Sequence, residues 1–156
     1  MIDHPRPRDG GAGSFVYRRL AEEVARASRY PIPLSCLVFR VVEAGRPRGL
    51  GGERLAWAAT ELARRIVRHS DVVGLLGGGQ FAVVANTGDT GARKLAQSIA
   101  AQIQSLDFVR DGQSVRVAIG YGIACLDHGK TPRELLDEAK AALELQLAAH
   151  GVEGHC

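Results

Sequence analysis

The residues best suited to recognising a ligand include an arginine and an aspartate three positions apart. Arg68 and Asp71 are separated by His69 and Ser70. A planar guanidinium offers a fork of donors that suits phosphate or base edges, and a carboxylate beside it offers acceptors. The same two residues could instead form only an exposed ion pair, which contributes about 0–1 kcal/mol. The sequence therefore indicates a ligand-binding site at these two residues, and an ion pair with only a structural role is the alternative.

A glycine-rich stretch that begins nine residues after Arg68 is the second candidate. It consists of Gly77, Gly78, Gly79, Gln80 and Phe81. Bare glycine amides can cradle a phosphate. Glycines in a tight hairpin turn can equally serve only to adopt positive φ angles. Both interpretations remain open at the level of the sequence.

Cysteine and histidine give no pattern typical of a metal site. The three cysteines lack CxxC spacing, and Cys36 and Cys125 lie in apolar runs, as small buried hydrophobic residues do. His150, His155 and Cys156 are grouped at the C-terminus, where a rigid ligand set is not expected. The sequence predicts no metal site and favours a reducing, cytoplasmic location.

Hydrophobic periodicity predicts the elements that position these residues. Helices are expected over 16–30, 53–69, 90–106 and 132–149, and strands over 34–42, 71–76, 80–85 and 115–124. Residues 43–52 are expected to form a loop. The order αβαββαβα predicts an α/β (α+β) fold of the ferredoxin-like type, with a central antiparallel sheet, a hairpin and flanking helices. Residues 1–14 are predicted to be a flexible leader, 15–150 one domain and 151–156 a tail.

Two local patterns in the last third of the chain are specific. Gly120 and Gly122 give one face of the final strand only small side chains, so another element is expected to pack closely there. Thr131, Pro132 and Glu134 predict an N-cap, a first-turn proline and a capping box at the start of the last helix.

The stretch from Asp71 to Phe81 resembles the signature segment of the GGDEF domain, the diguanylate cyclase fold. The family motif reads GGGQF in this chain. Further segments fall in family order across roughly residues 15–149: RLAEEVARASRY, PLSCLVF, ARRIVRHSD, AIGYGIA and ELLDEAKAAL. The resemblance implies the nucleotidyl-cyclase palm fold, in which two GTP-loaded domains condense their nucleotides with Mg²⁺ held by carboxylates.

The positions that the resemblance assigns to catalysis carry unsuitable residues. Gly79 stands where the family has an acid, and Gln80 stands where it has a glutamate. Arg40 aligns with the metal-binding aspartate, and Leu147 aligns with a phosphate-contacting lysine. Mg²⁺ takes oxygen ligands, and a permanent positive charge repels it. The resemblance therefore predicts an enzymatically inactive, degenerate member that has no catalytic residues and needs no Mg²⁺.

Arg68 and Asp71 match the RxxD motif at which the family binds its product, cyclic di-GMP. Arginine can donate two hydrogen bonds to the O6 and N7 acceptors of guanine. Such a bidentate contact contributes about 1–3 kcal/mol of discrimination against other bases. The family's third contact is an arginine on the helix after the hairpin, and Arg93 is the nearest candidate in this chain. The resemblance thus predicts a cyclic di-GMP receptor in bacterial signalling that has a protein partner, and it leaves a homodimer open.

Charge and composition limit the other functions that the chain could have. Residues 1–70 carry 13 arginines and seven acids, whereas residues 71–156 carry seven basic residues and ten acids. A nucleotide-independent module that docks a protein partner through its basic half is the second hypothesis, and GTP sensing without turnover is a third. No membrane segment is expected, because no apolar stretch approaches the length of a bilayer span. Specific nucleic-acid binding is not expected either, because no groove-reading motif accompanies the basic residues.

Overall fold

The computed structural model describes residues 12–44 and 52–149. In this part of the chain there are four helices and six strands. The helices are α1 (Ala12–Arg29), α2 (Gly52–Ile66), α3 (Asp89–Gln104) and α4 (Pro132–Ala149). The strands are β1 (Ser35–Glu43), β2 (Val72–Gly77), β3 (Gln80–Ala85), β4 (Phe108–Arg110), β5 (Gln113–Val115) and β6 (Val117–Cys125). None of the described helices combines the length and apolar character needed to cross a bilayer.

The central sheet has the strand order β2-β3-β1-β6, and every neighbouring pair is antiparallel. The two inner strands are β1 and β3, which explains why both are nearly continuous apolar runs. The register places Arg40 of β1 opposite Gln80 on one side and Gly120 on the other. The predicted antiparallel sheet with its hairpin is confirmed.

Helices cover both faces of the sheet. Val38 of β1 belongs to a core cluster with residues of α1 and α4, whereas Phe39 belongs to a second cluster with residues of α2 and α3. This alternation follows from the two-residue period of a strand. Within the second cluster, the rings of Phe39 and Phe81 stack with their centroids 4.7 Å apart.

The small-residue face of β6 lies directly against α4, as the sequence predicted. A Cβ added at Gly122 would lie 2.8 Å from the carbonyl carbon of Ala142 and closer still to two other backbone atoms of α4. The start of α4 is also as predicted. The Glu134 amide donates to the Thr131 hydroxyl at 3.1 Å, and the Thr131 amide donates to the Glu134 carboxylate at 2.9 Å.

The structure differs from the sequence prediction at several boundaries. The first helix begins at Ala12 instead of at residue 16, and the final strand of the sheet begins at Val117 instead of at 115. Strands β4 and β5 form a separate hairpin that was not predicted, joined by Asp111 and Gly112 with φ angles of 55° and 77°. This turn conformation is one that Asp-Gly pairs favour. The remainder of the expected leader, most of the loop over 43–52 and the C-terminal tail lie outside the described residues.

Helix α2 ends at Ile66, three residues before the predicted end. The Asp71 carboxylate accepts the backbone N–H of Arg68 at 3.0 Å, and the Asp71 N–H donates to the Arg68 carbonyl at 3.0 Å. Local bonds of this kind give the backbone an alternative to the helical ladder. They turn the chain from the helix into β2.

Candidate ligand-binding site

The turn between α2 and β2 holds Arg68 and Asp71 in a defined geometry. One carboxylate oxygen of Asp71 is bonded to the Arg68 amide, so the carboxylate is oriented by the backbone and not by the guanidinium. Within the described residues, the Arg68 guanidinium has no ion-pair or hydrogen-bond partner. The simple side-chain ion pair that the sequence left as an alternative is therefore not formed. The second oxygen of Asp71 keeps its acceptor capacity for a ligand.

Arg68 and Asp71 lie on the wall of an open pocket of about 390 Å³ between the end of α2, the end of β3 and the start of α3. Ile66, Val67, Ala85 and Leu95 form its apolar part. Its polar side chains are Arg68, Asp71, Asn86, Thr87, Lys94 and Ser98. An apolar pocket with a few convergent polar groups, in this size range, is typical of small-molecule sites.

The basic residue that α3 contributes to this pocket is Lys94, and not Arg93 as the sequence suggested. Arg93 is not among the lining residues; its Nε donates to the Asp89 carboxylate at 2.9 Å, and this bond raises the pKa of Arg93. Successive residues on a helix are rotated by about 100°, so Lys94 lies on another face. The spacing of Gly91, Lys94 and Ser98 would have revealed that face.

The segment after β3 is held in place by contacts with β1 and α3. The hydroxyl of Ser35, which is fully buried, donates to the Thr87 carbonyl at 2.7 Å. The Thr87 side chain in turn lies over Gly91, where an added Cβ would clash with its hydroxyl oxygen. Thr87 is thus fixed at the pocket by contacts with β1 and α3, and Asn86 precedes it in the chain. Sequence analysis did not identify either residue.

The glycine turn between β2 and β3 forms at the opposite end of β3. Gly77, Gly78 and Gly79 have φ angles of 93°, 64° and 79°, which residues other than glycine rarely adopt. The Gly79 amide donates to the Glu53 carboxylate at 3.1 Å, and the Gly79 carbonyl accepts from the Val41 amide at 2.9 Å. The Gly79 amide that could have bound a phosphate is therefore already bonded. The turn interpretation of the glycine run accounts for this geometry.

Arg40 lies beside this turn and is neutralised by a distant residue. Its guanidinium donates to the Glu144 carboxylate of α4 at 2.7 Å. Gln80 is its neighbour on β3, and Phe81 is buried on the opposite face of the sheet. Leu147 of α4 packs on the core, with its Cδ2 atom 2.8 Å from the position of a Cβ at Gly120. The positive charge predicted at this position is present, but it is paired.

The described residues contain no group of three or more His, Cys, Asp and Glu side chains placed to hold a metal ion. Two carboxylates, Glu53 and Glu144, lie near the glycine turn. Each is bonded to another group, the first to the Gly79 amide and the second to Arg40. Among the described residues at this end of the sheet, both of these carboxylates therefore already have a protein partner, whereas Mg²⁺ takes oxygen ligands.

Comparisons with known proteins agree with this architecture. The family model described as "Diguanylate cyclase, GGDEF domain" matches residues 49–151. The diguanylate cyclase TpbB of Pseudomonas aeruginosa (strain UCBPP-PA14) is 31% identical over 141 residues, which cover 83% of this chain and 32% of that protein. This chain therefore spans about a third of the length of that relative.

Solved structures with the same fold include two GGDEF domains. The GGDEF domain of TpbB from Pseudomonas aeruginosa superposes with a TM-score of 0.73 at 21% identity, covering 94% of this chain and 90% of that one. The GGDEF domain of DgcB from Caulobacter crescentus, solved in complex with c-di-GMP, gives a TM-score of 0.71 at 13% identity, covering 88% and 85%.

Proposed function

Because the chain belongs to the diguanylate cyclase GGDEF domain family, we propose that it is a cyclase-inactive member that binds cyclic di-GMP through Arg68 and Asp71. The observation that carries the proposal is the pocket of about 390 Å³ lined by Arg68, whose guanidinium has no partner among the described residues. The capture of DgcB, a protein of the same fold, with c-di-GMP supports the choice of ligand.

The chemistry of the pocket suits guanine. The Arg68 guanidinium can donate two parallel bonds to O6 and N7, and the free oxygen of Asp71 can accept from N1–H or the amino group. Asp71 is oriented by the Arg68 amide before any ligand arrives. A preorganised acceptor of this kind loses little conformational entropy on binding.

The proposed loss of cyclase activity is supported at the other end of the sheet. Mg²⁺ supplies charge neutralisation for phosphoryl transfer when carboxylates hold it. Here the candidate positions carry Arg40, Gly79 and Gln80, and Arg40 is tied to Glu144. An acid at residue 79 would also need the positive φ of 79° that the backbone adopts there.

The decisive experiment is calorimetric titration of the full chain with cyclic di-GMP. Arg68→Ala should weaken binding about 5- to 150-fold, which corresponds to the 1–3 kcal/mol of a bidentate contact with guanine. Arg65→Ala is the matched control, because Arg65 is an exposed arginine at the end of α2, three residues before Arg68, that does not line the pocket. Equal losses in the two variants would show that the site lies elsewhere.

A parallel incubation with GTP and Mg²⁺ tests whether the chain lacks cyclase activity. Formation of cyclic di-GMP by the purified chain would overturn that half of the proposal.

If the wild-type chain does not bind the dinucleotide, the alternative of a nucleotide-independent docking module gains weight. One observation favours that alternative: the side chain of Trp57 on α2 is 59% exposed. Exposed tryptophans are enriched among the residues that dominate protein interfaces.

A further inference from the structure

A fully buried serine on β1 connects the interior of the sheet to the wall of the pocket. Ser35 is not a lining residue, and its hydroxyl donates at 2.7 Å to the carbonyl of Thr87, which is one. We propose that Ser35 is a positioning residue: it holds Thr87 in the conformation that admits a ligand and does not contact the ligand itself. The inference rests on the proposed cyclic di-GMP site and adds a residue that fixes part of its wall.

The bond from Ser35 is the contact that ties the segment after β3 to β1. Its oxygen also lies 3.3 Å from the Sγ atom of Cys125, the residue opposite Ser35 on β6. The hydroxyl has one proton to donate, and a carbonyl is a stronger acceptor than sulfur, so that proton goes to Thr87. The Thr87 amide donates to the Ala85 carbonyl at 2.9 Å. Both backbone polar groups of Thr87 are therefore bonded to strands of the sheet.

Gly91 restricts the Thr87 side chain from α3. A Cβ added at Gly91 would clash with the Thr87 hydroxyl oxygen and lie 3.2 Å from the Thr87 Cβ atom, closer than the 3.4–4 Å of an ordinary contact. The distance between the two Cβ atoms does not depend on the Thr87 rotamer, so side-chain rotation would relieve only part of the clash. The φ angle of Gly91 is not positive, so the backbone does not require glycine there. Glycine is also less favourable than alanine in a helix. The space taken by Thr87 is the feature of the structure that requires glycine at residue 91.

These two contacts act on the same wall of the pocket. With its carbonyl bonded to Ser35 and its side chain over Gly91, Thr87 leaves a pocket of about 390 Å³. A ligand binds only the fraction of molecules in the binding-competent form, so the apparent Kd rises as that fraction falls. Because Ser35 is buried and does not line the pocket, removing its hydroxyl deletes no contact with a ligand. Any loss of affinity would therefore act through Thr87.

The first test is titration of the full chain with cyclic di-GMP, together with thermal unfolding of each variant. We expect Ser35→Ala to weaken binding about 2- to 12-fold, the equivalent of one hydrogen bond. Ser35→Thr keeps the hydroxyl and should restore most of the affinity. Thr60→Ala is the matched control, because Thr60 is buried and donates to the Ala56 carbonyl at the same 2.7 Å, and neither residue lines the pocket. Thr60→Ala should lower the unfolding midpoint about as much as Ser35→Ala and change affinity by less than about twofold.

Two further measurements act on Thr87 directly. Gly91→Ala should weaken binding about 3- to 10-fold, yet lower the unfolding midpoint by less than Ser35→Ala does, because alanine favours the helix. A general loss of stability would not give this opposite ranking. Amide hydrogen exchange, which needs no ligand, should show faster exchange at Thr87 in Ser35→Ala and an unchanged rate in Thr60→Ala.

The outcomes separate this inference from the proposed function. If Arg68→Ala weakens binding while Ser35→Ala matches the wild type, the role of Ser35 is wrong and the proposed receptor function stands. If Thr60→Ala weakens binding as much as Ser35→Ala does, the effect is one of overall stability and the inference fails. An unchanged exchange rate at Thr87 in Ser35→Ala would also refute it. If the wild-type chain does not bind cyclic di-GMP, both the inference and the proposed function are wrong.

Discussion

Replacing Gly122 by alanine should destabilise the domain more than any other single methyl added to β6. The new Cβ would lie 2.8 Å from the Ala142 carbonyl carbon and closer still to the Leu143 amide nitrogen and the Ala139 carbonyl oxygen. Ordinary contacts of this kind are 3.4–4 Å. All three atoms belong to the backbone of α4, so no rotamer change can relieve the clash, and the helix must move away from the sheet.

The size of the effect follows from two opposing terms. Overpacking of a core costs about 1–3 kcal/mol. Because the clash at Gly122 is with backbone atoms, which cannot change rotamer, we take the upper end of that range, about 3 kcal/mol. Alanine regains about 0.5–1 kcal/mol over glycine within a strand. The net loss is therefore about 2 kcal/mol, which for a chain of this length lowers the unfolding midpoint by about 4–8 °C.

Gly120→Ala is the matched control for this measurement. A Cβ at Gly120 would meet the Leu147 Cδ2 atom at 2.8 Å and the Gln146 Oε1 atom at 3.0 Å, which are ends of flexible side chains. Gln146 also accepts the Tyr121 amide at 2.7 Å, so we expect a loss of at most about 1 kcal/mol. Circular dichroism during thermal unfolding measures both variants. Identical midpoints for the two would refute the close-packing explanation.

Two further predictions concern stability. Burial raises the pKa of Cys36 to about 12 from its usual 9.0. Above pH 9 the unfolded thiol therefore releases its proton while the folded one keeps it, and the free energy of unfolding should fall by up to about 1.4 kcal/mol per pH unit between pH 9 and 12. Cys36→Ala should show a smaller slope in urea unfolding over that range, and an unchanged slope would contradict the burial argument. Thr131→Ala should cost about 1 kcal/mol in the same assay because it removes the capping box of α4, whereas Thr131→Ser should keep nearly full stability.

Much of the fold could be predicted because its signals are local. The β2–β3 hairpin follows from a glycine run between two apolar stretches, and the start of α4 follows from Thr131 and Glu134. The β4–β5 hairpin was missed although Asp111 and Gly112 carry a strong turn signal. Its strands have only three residues each and lie outside the main sheet, so hydrophobic alternation gives little indication of them.

The candidate site was less predictable because its geometry depends on contacts distant in sequence. Arg93 and Lys94 are both basic and exposed, and only the orientation of α3 decides which one faces the pocket. The pairing of Arg40 with Glu144 joins residues 104 positions apart. Sequence reasoning identified the charge at residue 40 and could not identify the residue that balances it.

The two ends of β3 lie far enough apart for substitutions at one end to leave the other end unaffected. Gln80 at the start of the strand lies beside Arg40, and Ala85 at its end lines the pocket with Arg68 and Lys94. A strand rises about 3.4 Å per residue, so these ends are about 17 Å apart. Substitutions at that distance, with no shared partners, usually act additively. At the first end Arg40 and the Gly79 amide are bonded to Glu144 and Glu53, whereas Arg68 and Lys94 have no such partner among the described residues. Under the proposed function, substitutions around Arg40 and Gly79 therefore need not disturb the pocket at the other end of β3, so that binding of cyclic di-GMP and cyclase activity can be separated.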